Sequence, residues 1–272
     1  MRIDVHTHVN WLGYDADGLV GHMDALGIQR AWVLTWENVD GLTFNYVHLS
    51  CDQALEAHRK HPTRLIPFYA PDPRRPDAAE RLLDAIKRGV RGFGECKVQV
   101  SLEDPRLLRL FRICEEHRLP VLIHMDKPLP PAFDHWYNLD IDALGRVCER
   151  FPRVAFIGHG PGFWRYVSGD EADDPSAYPK GKVAPGGKLI ELFRRCRNLY
   201  GDLSAGSGLN AISRDKAWGR RFLVRYCDRL LYGTDQFDRA HLEYLESLKL
   251  PSVVMARIMG GNASKLVRVG RG

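Results

Sequence analysis

Three features are missing from this sequence, and each absence excludes a class of protein. No run of about 18 apolar residues occurs in the 272-residue chain, so no transmembrane helix is predicted. The N-terminus lacks a basic segment followed by an apolar core, so we expect no signal peptide. The net charge is +5, but basic and acidic residues are interleaved and form no basic block. We therefore expect a cytoplasmic protein with no membrane and no nucleic-acid partner, while association into a homo-oligomer stays open.

Cysteine pairs are absent as well. The six cysteines are scattered along the chain, and no CxxC spacing occurs. Thiolate metal sites and redox centres usually show such close pairs. Most of the six fall within apolar helix or strand patterns, where cysteine behaves as a small core residue. The sequence therefore predicts reduced, buried thiols rather than a disulfide framework or a thiolate metal site.

Short apolar runs alternate with amphipathic stretches along the whole chain. The runs predict strands at 2–8, 30–36, 64–70, 90–97, 120–125, 153–159, 198–204 and 229–235. The amphipathic stretches predict helices at 18–27, 46–61, 76–88, 105–118, 139–151, 186–196, 213–227 and 239–249. Eight strand-then-helix units predict a single α/β domain over 1–272, a (β/α)8 TIM barrel. A doubly wound open sheet is the alternative, and the regular repetition favours the closed barrel.

The loops differ in length at the two ends of the predicted barrel. Helices reach the next strand through short links, whereas strands 2, 5 and 6 are followed by long segments at 37–45, 126–138 and 160–187. Long strand-to-helix loops lie at the C-terminal face of a barrel, where active sites form. Residues 160–187 are too long for a plain connection and are predicted to form a lid or pocket wall. Residues 251–272 are predicted to add a C-terminal helix and tail.

Side chains that bind metals or transfer protons stand at or near the ends of five predicted strands. They are His6 and His8 on strand 1, Glu95 and Lys97 on strand 4, His124 on strand 5, His159 on strand 6 and Asp235 on strand 8. Barrel closure brings strand ends into one ring, so these groups can converge on one point. Imidazole and carboxylate in such a ring suit Zn²⁺, Mn²⁺, Fe²⁺ or Co²⁺. Each residue alone is more often structural, and the predicted metal site depends on their joint position.

The first strand carries two of these histidines on one face. Alternation places His6 and His8 beside Asp4, and places Ile3 and Val5 on the opposite face. Because buried polar side chains need partners, we expect the two histidines to point at a ligand. Asp4 is then either an acceptor behind the histidines or a strand-end hydrogen-bond acceptor.

The strand-end motifs resemble those of a known enzyme family. They are DVHTH at 4–8, GFGE at 92–95, VLIH at 121–124, FIGHG at 156–160 and LYGTD at 231–235. In this order they resemble the amidohydrolase superfamily, and more closely its amidohydrolase-related branch of short, single-barrel, metal-dependent hydrolases. The segment IMGGNASKLV at 258–267 is similar to the closing helix of that branch. The likeness covers nearly the whole chain.

The resemblance implies a role for each strand-end residue. The implied ligands are His6, His8 and Asp235 for the more buried metal, His124 and His159 for a second metal, and Glu95 as the bridge between them. Other members bridge through a carboxylated lysine, so Lys97 is the alternative to Glu95, and GFGE favours the glutamate. The implied cofactor is one or two divalent transition-metal ions, Zn²⁺ first, with Mn²⁺, Fe²⁺ or Co²⁺ as alternatives.

The same residues are expected to carry catalysis. A metal-activated water attacks a carbonyl or ester carbon, Asp235 transfers the proton, and Lys97 or a second cation stabilises the oxyanion. We therefore predict an enzyme that hydrolyses a small amide, lactone or ester. One alternative is a decarboxylase of an unsaturated or aromatic carboxylic acid, in which His159 lies near the substrate. Another is a barrel without catalytic activity. Glu95 favours hydrolysis, because related decarboxylases lack a bridging ligand on strand 4.

Aromatic and basic residues of the long loops are candidates for substrate contacts. They are Trp164, Arg165, Tyr166 and Tyr178 after strand 6, Trp136 after strand 5 and Trp36 at the end of strand 2. With Lys97 they suit a small-molecule substrate that is flat or carries a carboxylate. Packing of the loops onto the barrel is the alternative for each aromatic side chain. Asp202, on strand 7, has the same two interpretations as Asp4.

Overall fold

Eight parallel strands lie in the predicted order in the computed structural model, which describes residues 1–37, 48–126, 138, 140–170 and 176–267. The strands are β1 Ile3–Thr7, β2 Arg30–Val33, β3 Leu65–Pro67, β4 Phe93–Cys96, β5 Val121–His124, β6 Phe156–His159, β7 Leu199–Asp202 and β8 Leu230–Leu231. Each lies within its predicted range. The described residues contain no helix long and apolar enough to cross a membrane, and the six cysteines are free and buried.

Helices follow the strands around the outside. They are α1 Ala16–Ala25, α2 Cys51–Lys60, α3 Ala78–Arg88, α4 Pro105–His117, α5 Ile141–Arg150, α6 Pro161–Trp164, α7 Lys188–Arg195, α8 Ala205–Ser213, α9 Lys216–Arg225, α10 Ala240–Ser247, α11 Ser252–Ala256 and α12 Ala263–Leu266. Helix α8 was not predicted, because Gly206 and Gly208 lower helix propensity. Gly208 is required by close packing, since a Cβ there would stand 2.2 Å from the carbonyl oxygen of Leu203.

Local capping signals set several helix boundaries. The helix predicted over 46–61 begins at Cys51, because Ser50 and Gln53 form a reciprocal capping box immediately before it. Helix α4 begins after Asp104, whose side chain accepts the backbone N–H of Arg106. These contacts satisfy backbone donors that a helix start leaves without partners.

The strands pair in chain order and close into a barrel. Pairing runs through β1–β2–β3 and through β4–β5–β6–β7–β8. Backbone hydrogen bonds join these two groups, with Tyr69 N–H donating to Gly92 O at 3.0 Å and Val5 N–H donating to Tyr232 O at 3.0 Å. The carboxyl ends of all eight strands therefore surround one axis.

Apolar side chains from strands on opposite sides fill the barrel interior. Ile3 and Val5 of β1 belong to one buried cluster with Leu122 of β5 and Ile157 of β6. Contact between strands so far apart around the barrel is possible only inside it. The predicted alternation, which placed Ile3 and Val5 on the face away from the histidines, is therefore wrong.

A shift of register in β1 accounts for this error. The pairing of β1 with β2 changes register between Asp4 and Thr7. Such irregularities change the face to which the following side chains point. Val5 and His6 are successive residues, and both side chains consequently face the interior of the barrel.

Asn262 connects the C-terminal helices to the last strand. Its buried side-chain amide donates to Cys227 O at 2.7 Å and to Leu230 O at 2.9 Å. These carbonyls lie before and at the beginning of β8. The amide therefore holds in place the strand that leads to Asp235.

We expect Asn262→Ala to lower the free energy of unfolding by about 1–3 kcal/mol, because two buried carbonyls lose a donor. Urea unfolding followed by circular dichroism measures the change. Lys265→Ala, at an exposed position of α12, is the control and should leave the midpoint unchanged. An Asn262→Ala midpoint equal to that of the parent protein would contradict the assigned role.

Candidate metal centre

The strand ends surround a cavity of about 290 Å³ at the C-terminal face. The described residues that line it are His8, Trp11, Leu12, Trp36, Glu95, Lys97, His124, Asp126, His159, Pro161, Tyr178, Ala205, Ser207, Asp235 and Gln236. Every predicted metal ligand except His6 lines this cavity. His6 lies behind it and is fully buried.

His6, His8 and Asp235 form the first ligand set. The Nε2 atoms of the two histidines each lie 3.5 Å from Oδ1 of Asp235. One ligand atom from each of the three residues lies within 4.8 Å of the other two. For comparison, two ligands of a tetrahedral zinc ion with bonds of about 2.1 Å stand about 3.4 Å apart. The spacing is therefore that of ligands around a single ion.

Glu95, His124 and His159 form the second ligand set, again with one ligand atom each inside 4.8 Å. Oε1 of Glu95 lies 2.6 Å from Nδ1 of His124. Its other oxygen, Oε2, lies 3.8 Å from Nε2 of His6 and 3.8 Å from Nε2 of His8. The two oxygens of one carboxylate thus face the two ligand sets.

A second register shift places Glu95 at this position. The pairing of β4 with β5 changes between Phe93 and Cys96, and both of these side chains pack outward against the helices. The backbone N–H of Glu95 donates to Thr35 O at 2.7 Å. Glu95 therefore points inward from a strand whose neighbouring side chains point outward.

The buried atoms of the centre fit a cation. Nε2 of His6 has no hydrogen-bond partner among the described residues, although it is fully buried. A buried nitrogen without a partner is costly unless something binds it. The donor set of imidazole nitrogens and carboxylate oxygens is the one that zinc and related transition metals prefer. The residues present therefore fit the implied divalent ions.

The charges of the centre are strongly coupled. Burial disfavours the charged form of His6, but the carboxylates of Asp235 and Asp202 outweigh this effect and raise its pKa to about 10. Burial alone would raise the pKa of Asp235, yet His6 and His8 hold it well below its ordinary value. Lys97 and other cationic groups likewise keep the pKa of buried Glu95 low. The carboxylates are therefore ionised at neutral pH, and a metal cation would compete with the proton on His6.

Asp202 and Asp4 accept hydrogen bonds from different groups. Oδ2 of Asp202 lies 2.7 Å from Nδ1 of His6 and 3.0 Å from Nδ1 of His159, so Asp202 is an acceptor behind two histidines. Asp4 instead accepts the backbone N–H of His6 at 3.0 Å and the hydroxyl of Thr234 at 2.7 Å. Asp4 is therefore a strand-end hydrogen-bond acceptor, whereas Asp202 is an acceptor behind the histidines.

The aromatic residues predicted to contact substrate fall into two groups. Trp36 and Tyr178 line the cavity, and the Trp36 ring lies 4.6 Å from the His8 ring. Nζ of Lys97 stands 5.1 Å from the centre of the Trp36 ring. Trp136 lies outside the described residues, so its contact with substrate stays a prediction.

Residues 164–166 do not join the cavity wall that the structure describes. Trp164 is buried in the core, where its Nε1–H donates to the carbonyl oxygen of Asp202 at 2.8 Å. The structure thus places Trp164 under β7 rather than at the cavity, which favours packing over substrate contact. Arg165 is buried and Tyr166 partly buried, and neither lines the cavity.

Sequence reasoning missed several residues of the cavity wall. Asp126 lies two positions after His124, and its Oδ2 stands 3.6 Å from Nε2 of that histidine. Gln236 directly follows Asp235, so both could have been found by extending the search past the strand ends. Trp11 and Leu12 come from the turn after β1, and no pattern in the sequence identified them.

Comparison with known proteins agrees with this architecture. A TIM-barrel protein from Bordetella bronchiseptica is 18% identical, with a TM-score of 0.71 and 97% of both chains covered. 5-Carboxyvanillate decarboxylase from Sphingomonas paucimobilis is 15% identical, with a TM-score of 0.62 and 99% of both chains covered. A zinc-bound amidohydrolase from Burkholderia multivorans is 15% identical, with a TM-score of 0.63 and 98% of both chains covered. At these identities the likeness shows the TIM-barrel fold alone.

A family model supplies the stronger finding. Curated proteins give no significant match to the chain. The model described as amidohydrolase matches residues 3–269, and this range contains both ligand sets and all eight strands. The match confirms the resemblance that the strand-end motifs predicted. The chain therefore belongs to the amidohydrolase family of metal-dependent enzymes.

Proposed function

We propose that this enzyme is a hydrolase with two divalent ions, Zn²⁺ foremost, that cleaves a small amide, lactone or ester. The position of Glu95 carries the proposal. One carboxylate oxygen contacts His124, and the other faces His6 and His8. A carboxylate between two histidine-containing sets is suited to bridge a pair of metal ions.

The residues around the cavity have separate tasks in this reaction. Bound divalent ions would polarise the scissile carbonyl and make water a stronger nucleophile at neutral pH. Asp235, whose carboxylate is kept ionised, accepts the proton of the attacking water and returns it to the leaving group. The Trp36 ring forms an apolar wall beside His8. A cavity of about 290 Å³ suits a small-molecule substrate.

The position of Lys97 favours a substrate that carries an anionic group. The lysine lines the cavity, its Nζ lies 5.1 Å from the centre of the Trp36 ring, and its charge also lowers the pKa of Glu95. A carboxylate beside an unsaturated or aromatic group would meet both side chains. The same position allows Lys97 to stabilise an oxyanion, so its effects on KM and on kcat separate the two roles.

We expect Lys97→Gln to raise KM for an anionic substrate by about 10- to 100-fold, because a charge-assisted contact is lost. Steady-state kinetics with an anionic substrate and its uncharged ester measure the difference. Lys87→Gln, on the exposed side of α3, is the matched control. An equal KM for parent and variant would remove Lys97 from substrate binding, and a loss confined to kcat would assign it to the oxyanion.

Metal content tests the proposed function most directly. Protein purified without chelator should hold about two transition-metal ions per chain, and Glu95→Gln should hold about one. Elemental analysis measures both. Glu37→Gln is the control, because Glu37 is a buried carboxylate that bonds Tyr69 and Arg81 outside the ligand sets. Two ions in the parent protein would direct the substrate search to amides, lactones and esters.

Decarboxylation is the second candidate function. The fold is shared with a 5-carboxyvanillate decarboxylase, and His159 lines the cavity where a substrate would lie. One ion per chain, unaffected by Glu95→Gln, would refute the bridging role and favour this reaction. No ion, even after addition of Zn²⁺ or Mn²⁺, would refute both functions.

A cytoplasmic location is part of the same proposal. All six cysteines are buried and free, and such thiols persist in reducing compartments. Assay of the purified protein under reducing conditions should therefore preserve its activity.

A further inference from the structure

Asp202 holds one histidine from each ligand set. Its Oδ2 atom lies 2.7 Å from Nδ1 of His6, which belongs to the first set. The same atom lies 3.0 Å from Nδ1 of His159, which belongs to the second set. Both rings present Nδ1 to this carboxylate, so each directs Nε2 away from it.

Ser204 fixes the orientation of that carboxylate. Its backbone N–H donates to Oδ1 of Asp202 at 2.9 Å, and its hydroxyl donates to Oδ2 at 2.7 Å. Asp202 is fully buried, and hydrogen bonds from the two histidines hold its pKa well below the ordinary value although burial opposes this. An ionised carboxylate only accepts, so His6 carries its proton on Nδ1. Nδ1 of His159 lies 3.0 Å from the carboxylate and 3.0 Å from the Ser204 hydroxyl oxygen. Because that hydroxyl donates to Asp202, both of these neighbours accept from a proton on Nδ1 of His159.

The other histidines are held by separate groups. Nδ1 of His8 lies 3.0 Å from the carbonyl oxygen of Leu34. Nδ1 of His124 lies 2.6 Å from Glu95, which is itself a ligand. Asp202 contacts a histidine of each ligand set. It also lies within ligand distance of His6 and His159, but its contacts are to their Nδ1 atoms, on the side of each ring away from Nε2.

We propose that Asp202 is a positioning residue that orients His6 and His159 together, so that both metal positions depend on its charge. A carboxylate behind a ligating imidazole fixes the tautomer and strengthens the nitrogen that faces the metal. Here one oxygen does so for two rings, which belong to different ligand sets. The inference rests on the proposed pair of metal ions and adds that one carboxylate orients a ligand of each.

Replacement by asparagine removes this function for a geometric reason. An asparagine side chain has one acceptor oxygen and one donor NH₂ group. If the oxygen faces the imidazoles, the NH₂ group faces the backbone N–H of Ser204. If the NH₂ group faces the imidazoles, it opposes their Nδ1–H groups. Neither orientation satisfies all the contacts of Asp202.

Stepwise removal of zinc by a chelator series tests the inference. Asp202→Asn is expected to weaken zinc binding at both positions by about 10- to 100-fold. Asp4→Asn is the matched control, because Asp4 is equally buried but bonds Thr234 and backbone instead of an imidazole. Unchanged binding in Asp202→Asn, or weakening at one position only, would overturn the inference.

A smaller change covers the case in which Asp202→Asn does not fold. Ser204→Ala removes one donor to the same carboxylate and also the hydroxyl oxygen 3.0 Å from Nδ1 of His159, so its effect on the His6 position is the informative one. It is expected to weaken both zinc positions in the same direction and to a smaller extent. Equal binding by Ser204→Ala and the parent protein at both positions would count against the inference.

Proton NMR of the metal-free protein separates this inference from the proposed function. With ¹⁵N-labelled histidine, the Nδ1–H groups of His6 and His159 should give low-field resonances that Asp4→Asn keeps and Asp202→Asn loses. Retention of both resonances in Asp202→Asn would refute the positioning role, however many ions the parent protein binds. Loss of both resonances in a protein that binds one ion would refute the binuclear function and leave the orientation of the two rings established.

Discussion

Asp235→Asn is expected to lower kcat by about 10²- to 10⁴-fold while most of the metal is retained. The Asp235 side chain reaches the cavity, where it is 20% exposed, and its Oδ1 lies 3.5 Å from Nε2 of both His6 and His8. Asparagine keeps an oxygen at this position, so it can still bind an ion. It cannot accept a proton from water and pass it on, and the proton transfer is therefore lost.

The effect of Asp235→Asn should be measured as kcat and as metal content on the same preparation. Asp238→Asn is the matched control, because Asp238 lies three positions further on, pairs with His241 and is absent from the described cavity lining. Full activity in Asp235→Asn would exclude Asp235 as the proton carrier. Loss of both metal and activity would show that Asp235 is needed to bind the ion. Asp235→Glu, which keeps a carboxylate, would then test the proton transfer.

His6→Ala is expected to abolish turnover by a different route, the loss of about one ion per chain. His6 is fully buried, and its Nε2 has no hydrogen-bond partner among the described residues. Alanine removes this ligand and also takes a donor from buried Asp202. Activity should therefore fall below detection while the metal content falls by about one ion per chain, whereas Asp235→Asn should lower activity and keep most of the metal.

Elemental analysis and activity assays on His6→Ala test this expectation, with circular dichroism to confirm that the barrel is folded. His58→Ala is a suitable control, because His58 lies on α2, away from the ligand sets, where its Nδ1 bonds the carbonyl oxygen of Leu65. Two ions and full turnover in His6→Ala would show that the buried nitrogen is not a ligand. The prediction that the strand-end residues bind metal would then be wrong for His6.

The positions of the strands could be predicted from the sequence because their signal is local. Each of the eight apolar runs contains its strand, and closure of the barrel follows from the number of repeats. The convergence of His8, His124 and His159 on one cavity follows from the same topology. The family match then confirms what the strand-end motifs resembled.

The inward direction of Glu95 could not be predicted by simple alternation. Alternation places Glu95 on the same face as Phe93, yet Phe93 packs outward against the helices. The register shift between Phe93 and Cys96 turns Glu95 into the barrel. Register depends on the pairing of β4 with β5, which is a contact between distant parts of the chain. The error on β1, at Ile3 and Val5, has the same cause.

Contacts between loops are the other part that the sequence could not supply. Trp11 and Leu12 reach the cavity because Trp11 pairs with Tyr14 in a tight turn that includes Gly13 at φ 85°. Trp164 looked like a pocket residue but is held in the core by Asp202. Which aromatic side chain faces the cavity is decided by such tertiary contacts rather than by the composition of the loop.

A hydrogen bond 2.9 Å long, from Asp235 N–H to His6 O, joins the segment after the last strand to the first strand, beside the candidate metal centre. Ribosomal synthesis delivers His6 and His8 more than 200 residues before Asp235. The first candidate ligand set is therefore incomplete until Asp235 has been synthesised, and an ion that needs all three ligands can bind only after that. A nascent or truncated chain that ends before β8 holds two histidines of this set but not its carboxylate. Supplying the missing C-terminal segment as a separate peptide would complete the set only by closing the barrel.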